Sequence, residues 1–264
     1  MHMQRIRTLI DKEWAEAFKN KMVLGTVVAL PLIFMLLPLV QLAMMRDVPA
    51  SKLDTMPASL EQLCQVQSFT PSECMQGFLV NEFLLLFLLI PLAVPVTIAS
   101  YSIVGEKSTR SLEPLLATPT STTEIIFGKG LASVIPAIGA TWLAFAIFLI
   151  GARFFVVSDR VYALFTNPMW YIAMLIVAPL MTVLSVNVAI IISSRVNDPR
   201  AAEQIGMLVM LPILLLFFGT IFGLVPLTTA TMLLVGGVMV LLDIGLMILG
   251  VKLFQRETIL TRWK

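Results

Sequence analysis

Six long apolar stretches, at about 22–45, 79–104, 125–150, 168–193, 205–225 and 228–251, constrain this chain more than any other feature. A helix needs roughly 20 mostly apolar residues to cross the hydrocarbon core of a bilayer, and each stretch meets that length. Charge is too sparse for water to be the main solvent. Only 13% of the 264 residues are Asp, Glu, Lys or Arg, and 58% are hydrophobic, where a soluble domain carries about 25% charged residues. The expected fold class is therefore an all-α membrane protein with six transmembrane helices, one domain over residues 1–264. The last two stretches run together: residues 205–251 are too long for one span, and the region Gly223–Thr229 offers the turn.

Pro31, Pro38, Pro91, Pro95, Pro179 and Pro212 fall within these stretches. Membrane helices tolerate proline because neighbouring groups take up the freed carbonyl, so packing kinks are expected. Before the first span, residues 4–21 read as an amphipathic helix. Ile6, Leu9, Ile10, Trp14, Ala17 and Phe18 share one face, and Arg5, Arg7, Asp11, Lys12, Glu16 and Lys19 take the other. A basic face opposite a Trp/Phe/Leu face suits a helix lying in the membrane interface. The N-terminus shows no cleavable signal pattern.

Orientation follows from the Lys/Arg balance beside the spans. With both termini inside, 14 of the 18 Lys and Arg residues fall on the cytoplasmic side, leaving Arg46, Lys52, Arg153 and Arg160 outside. The expected location is the cell membrane, multi-pass, with both termini cytoplasmic. The basic residues are spread rather than massed, so no nucleic-acid partner is expected. Residues 46–78 form the largest outer segment, a polar and acidic cap. Cys64 and Cys74 lie ten apart within it. Outside the cell such a pair can oxidise and persist, and two unpaired thiols are the alternative.

The most informative stretch is the cytoplasmic loop at 105–124. Ser111 can cap a short helix with Pro114 in its first turn, and Leu112, Leu115 and Leu116 then share a face. Glu106, Lys107 and Arg110 precede that face, and Pro119 ends it. Ser121-Thr-Thr-Glu124 is a capping-box pattern that opens the third span. A loop that only reversed the chain would need fewer residues, so a docking element is expected. The alternative destinations for its leucines are lipid and the chain's own bundle.

The run Gly105-Glu106-Lys107 … Leu112-Glu113-Pro114-Leu115-Leu116-Ala117-Thr118-Pro119 … Glu124-Ile125-Ile126-Phe127-Gly128-Lys129 resembles the signature loop of type-2 ABC transporter permeases, the exporter family. The amphipathic start, the six spans and the Arg195–Arg200 loop are similar to that family as well. The resemblance implies an elbow helix at 4–21 and a coupling helix at about 106–118. It implies that Glu106, Arg110, Leu112, Glu113, Leu115 and Leu116 meet an ATPase. It further implies two permease chains with two copies of the ATPase subunit, and export. ATP and Mg would sit on that partner, and no cofactor is expected in this chain. One departure stands out: many members carry a re-entrant excursion between spans five and six, and here that space is very short.

The remaining chemistry is spare. No Gly-x-x-x-x-Gly-Lys-Ser/Thr run is present, so no phosphate-binding loop is expected. The single histidine, His2, leaves no imidazole for a metal centre or a Ser/His/Asp site, so this chain is not expected to be an enzyme. Asp243 and Glu82 are acids within apolar stretches, and such groups are costly and usually functional. Asp243 is a candidate for the translocation path or a bond between helices. Glu82 either lines that path or reaches the interface. Asn187 suits a bond across helices, with the translocation path as its alternative. A self-contained ion or lipid carrier, or a membrane-embedded enzyme, is the alternative function. A copurifying ATPase separates the two classes.

Overall fold

The computed structural model describes residues 3–46, 69–108 and 122–253, and all regular structure among them is helical. The elements are α1 (Met3–Ala17), α2 (Lys21–Met44), α3 (Pro71–Leu86), α4 (Ile90–Ser108), α5 (Thr122–Phe155) and α6 (Asp159–Phe165), then α7 (Pro168–Ile172), α8 (Ala178–Arg195), α9 (Pro199–Gly206), α10 (Leu211–Ile221) and α11 (Thr229–Leu253). Six units are long and apolar enough to cross a membrane. Span one is α2, span two is α3 with α4, span three is α5, span four is α7 with α8, span five is α9 with α10, and span six is α11. The six-span reading holds.

Element boundaries follow local chemistry. The amphipathic segment read as 4–21 is helical over Met3–Ala17. Asn20 then caps span one, its side chain accepting from the Met22 amide. Span two begins at Pro71, eight residues before its apolar run. Thr70 and Glu73 form a reciprocal capping box there, with Pro71 in the first turn, where a missing N–H is harmless. The final residues of the segment read as an outer cap are therefore the first turns of a long helix. Span three opens at Thr122, as the capping-box pattern predicts. The short helix α6, capped by Ser158, lies before span four.

Three prolines explain three breaks in the ladder. Pro91 cannot donate to Phe87, and the Ile90 amide takes that carbonyl in a 3-10 turn. Pro212 leaves the carbonyl of Leu208 in the same position, and Leu211 takes it. Before Pro179 the chain widens instead into a π-turn at Ala173–Val177, where Ala178 reaches back to Ala173. At Pro91 and Pro212 the residue before the proline supplies the donor the ring lacks. Pro31, Pro38, Pro95 and Pro136 sit inside continuous helices.

Spans five and six separate where Gly223 adopts φ 69°. Leu224 donates to the Gly219 carbonyl at 2.8 Å and Gly223 to that of Thr220 at 3.0 Å. This is a Schellman cap, which wants a residue without Cβ at its left-handed position.

Span two is the hub. Its most apolar stretch is 89% buried, against 17% for span six. Spans one, three, four and five pack around it, and span six packs on span four. Phe87 meets Phe145 and Phe148 at the centre, and Trp170 and Phe165 are fully buried. Leu32, Leu36, Leu215, Phe218, Leu234 and Leu241 of the outer spans project outward, as a bilayer-solvated surface allows.

Candidate functional site

The end of the bundle that carries α1 holds a buried ion cluster. Lys129, at the start of span three, places Nζ 2.6 Å from Glu13 Oε1 and 2.9 Å from Glu106 Oε2. Glu106 closes span two, and its other oxygen lies 2.5 Å from Lys12 Nζ. Ser102 donates to Glu13 at 2.5 Å and accepts from Lys129 at 2.9 Å. Two lysines thus meet two glutamates, with Glu13, Glu106 and Lys129 buried. Removing charges from water is costly unless each is paired and hydrogen-bonded, and here each is. Burial pushes Lys12 down, but its hydrogen bond to Glu106 and the charges of Glu106, Glu13 and Glu16 outweigh that and raise it above the ordinary lysine value.

Sterics bring α1 to this place. A Cβ on Gly128 would lie 2.5 Å from Leu9 Cδ2, so glycine lets Leu9 of α1 rest on the backbone of span three. Trp14 donates its indole N–H to the Ala132 carbonyl at 2.9 Å. Glu106, Gly128 and Lys129, which bound the signature loop, therefore serve one junction: both stems of the loop meet each other and α1.

Glu106 thus faces the chain's own α1 and span three. Residues 106–108 continue α4. Arg110, Leu112, Glu113, Leu115 and Leu116 lie outside the described residues, as does Cys64. Cys74 is buried in the first turn of α3. Asn187 of span four donates to Asp243 of span six at 3.4 Å, while the second Asp243 oxygen is buried without a hydrogen-bond partner among the described residues. The Glu82 carboxyl, buried on span two, lies 3.0 Å from the Thr220 hydroxyl on span five. The three membrane-embedded polar residues are thus not one site: they form two separate interhelical contacts.

Sequence reasoning missed Glu13, the acid on the apolar face of α1. It stands at helical spacing from Ile6 and Ala17, with which it is buried, and an acid in that register is itself a signal for an internal cation. It also missed Gln76 at the far end, which is fully buried. The Gln76 amide donates to the carbonyls of Leu42 at 2.8 Å and Phe155 at 3.2 Å, and its oxygen accepts from Val157 at 3.0 Å. One side chain thus ties the far ends of spans one and three to span two. A further cavity of about 310 Å³, lined by Asn20, Tyr101, Asp198, Arg200 and Glu203 among others, opens beside the α1 end.

No group of three or more His, Cys, Asp or Glu suited to a metal occurs among the described residues. A six-span helical bundle with a charged helix clamped across one end defines a multi-pass membrane protein. Residues 7–256 match the family described as ABC-2 family transporter protein, and the chain belongs to that family. It is a permease subunit of an ABC transporter. Comparison with curated proteins gives no match.

Proposed function

We propose that this chain is the membrane-embedded half of an ATP-driven exporter, working as a dimer with two copies of a separate ATPase that binds ATP and Mg. In this reading it lies in the plasma membrane with both termini cytoplasmic, and residues 105–124 form the coupling loop. The observation that carries the proposal is the Lys129–Glu106–Glu13 junction, which gives the loop a rigid base. A push from a partner can move spans two and three only if the loop's stems do not slide past one another. Leu112, Leu115 and Leu116 supply the anchors, and Arg110 and Glu113 set orientation. Glu106 works beneath them.

In the same reading Asp243 and Asn187 join spans four and six, which their hydrogen bond supports, rather than lining the cargo path. Cys64 and Cys74 close a small loop in the outer cap by a disulfide. The test is copurification. The wild-type chain should carry an ATPase through purification, and Leu115→Asp/Leu116→Asp should lose it while remaining inserted and dimeric. A wild-type chain that transports with no ATPase attached would overturn the proposal in favour of a self-contained carrier.

A further inference from the structure

Thr220 has two neighbours and one proton. Its Oγ1 lies 2.7 Å from the Phe217 carbonyl and 3.0 Å from Glu82 Oε2. A carbonyl only accepts, and a hydroxyl has a single hydrogen to give. It cannot serve both at once. With the hydrogen on the shorter Phe217 contact, Glu82 bonds to Oγ1 as a donor and must carry its proton; an ionised Glu82 would take the hydrogen instead.

The surroundings favour the first arrangement. Glu82 is buried. Span five contributes no titratable side chain over Leu211–Ile221, and span one none between Lys21 at its opposite end and the exposed Arg46. On α6, Asp159 and Arg160 are exposed, Asp159 pairs with Arg153, and the Tyr162 hydroxyl donates to the Leu149 carbonyl. Glu73, on the same helix as Glu82, is held by Thr70. No cation among the described residues reaches Glu82 to offset an ionised form, and an isolated buried charge is costly.

We propose that Glu82 is a membrane-embedded proton-binding site whose proton fixes the last turn of span five, by leaving the Thr220 hydroxyl to bond Phe217. Thr220 belongs to the last turn of α10, and its own carbonyl accepts from Gly223 in the cap that ends the span. Loss of the proton leaves a buried carboxylate that draws the Thr220 hydroxyl away from Phe217 and loosens that turn. The bond exchange balances: the carboxyl O–H breaks, its proton goes to water, and the hydroxyl redirects its hydrogen to the carboxylate. The proton site rests on this chain's geometry alone. Its use in opening the outer end for cargo release rests on the exporter reading above.

The experiment is infrared difference spectroscopy on the full chain in lipid nanodiscs, where no partner is needed. The carbonyl band of a protonated carboxyl should be present at pH 7, fall as pH rises, and be absent in Glu82→Gln. Identical spectra for wild type and Glu82→Gln at pH 7 would overturn the site. A band that responds to sodium at fixed pH, and not to pH, would assign the site to a metal cation and overturn it equally. Hydrogen exchange of residues 218–225, corrected for intrinsic rate, reads that turn. Protection in wild type should fall about tenfold on deprotonation, the scale of one buried hydrogen bond. Glu82→Gln should hold its protection across the same pH range, and Thr220→Val should lack it throughout. Should Glu82→Gln fold poorly, Thr220→Ser, which keeps the hydroxyl, must retain the pH response that Thr220→Val loses. A pH response unchanged in Thr220→Val would sink the link to that turn.

Discussion

Lys129 Nζ stands 2.6 Å from Glu13 Oε1, joining two residues 116 positions apart at the base of the loop that most distinguishes this chain. The bond ties the N-terminal helix to span three, and Glu106 extends it to span two. Every strand of chain that enters or leaves the loop is therefore held by one ammonium group.

Lys129→Met should be strongly destabilising, because Glu13 and Glu106 would face each other without the cation between them. Breaking a buried pair by removing one partner costs about 3–5 kcal/mol. Thermal unfolding in detergent measures it. The double change Lys129→Met/Glu13→Gln should recover part of the loss, since it removes one of the stranded charges. If the double variant is the less stable of the two, the pairing does not carry the energy assigned to it.

Lys12 gives a signed pH dependence. Its folded value lies above the ordinary 10.5, raised through Glu106. Its contribution is therefore complete below the unfolded value and disappears as pH climbs through the folded one. The side chain is 39% exposed, so solvent screening keeps the effect within about 1 kcal/mol. Wild type should be modestly more stable than Lys12→Met at pH 8, and the two should converge above about pH 10.5. A difference that grows with pH would contradict the sign.

Gln76→Leu removes hydrogen bonds to the carbonyls of Leu42 and Phe155 and to the Val157 amide. Each buried group left unpaired costs about 1–3 kcal/mol. The far ends of spans one and three should loosen, with faster hydrogen exchange at Val157 and a lower unfolding temperature. Unchanged exchange at Val157 would show that water replaces the amide without cost.

Orientation is tested by an impermeant thiol reagent on intact cells. Ser59→Cys should be modified from outside, and Ser108→Cys only after permeabilisation. Labelling of both from outside would reverse the reading drawn from the Lys/Arg balance.

What the sequence determined by itself is whatever depends on composition and local chemistry. Apolar length sets the number of spans, since a bilayer accepts only segments that can bridge it. Capping residues and prolines set the breaks, because Asn20, Thr70–Glu73, Gly223, Pro91 and Pro212 act on backbone groups within a few residues of themselves. What only the tertiary structure decided is which polar side chains meet. Glu106 was legible as part of a signature, yet its partners Lys129, Lys12 and the neighbouring Glu13 lie in other helices. Glu82 and Thr220 are separated by 138 positions. Their meeting depends on how spans two and five rotate about their axes. Spans that are apolar all round carry no periodic signal for that rotation, so packing alone sets it.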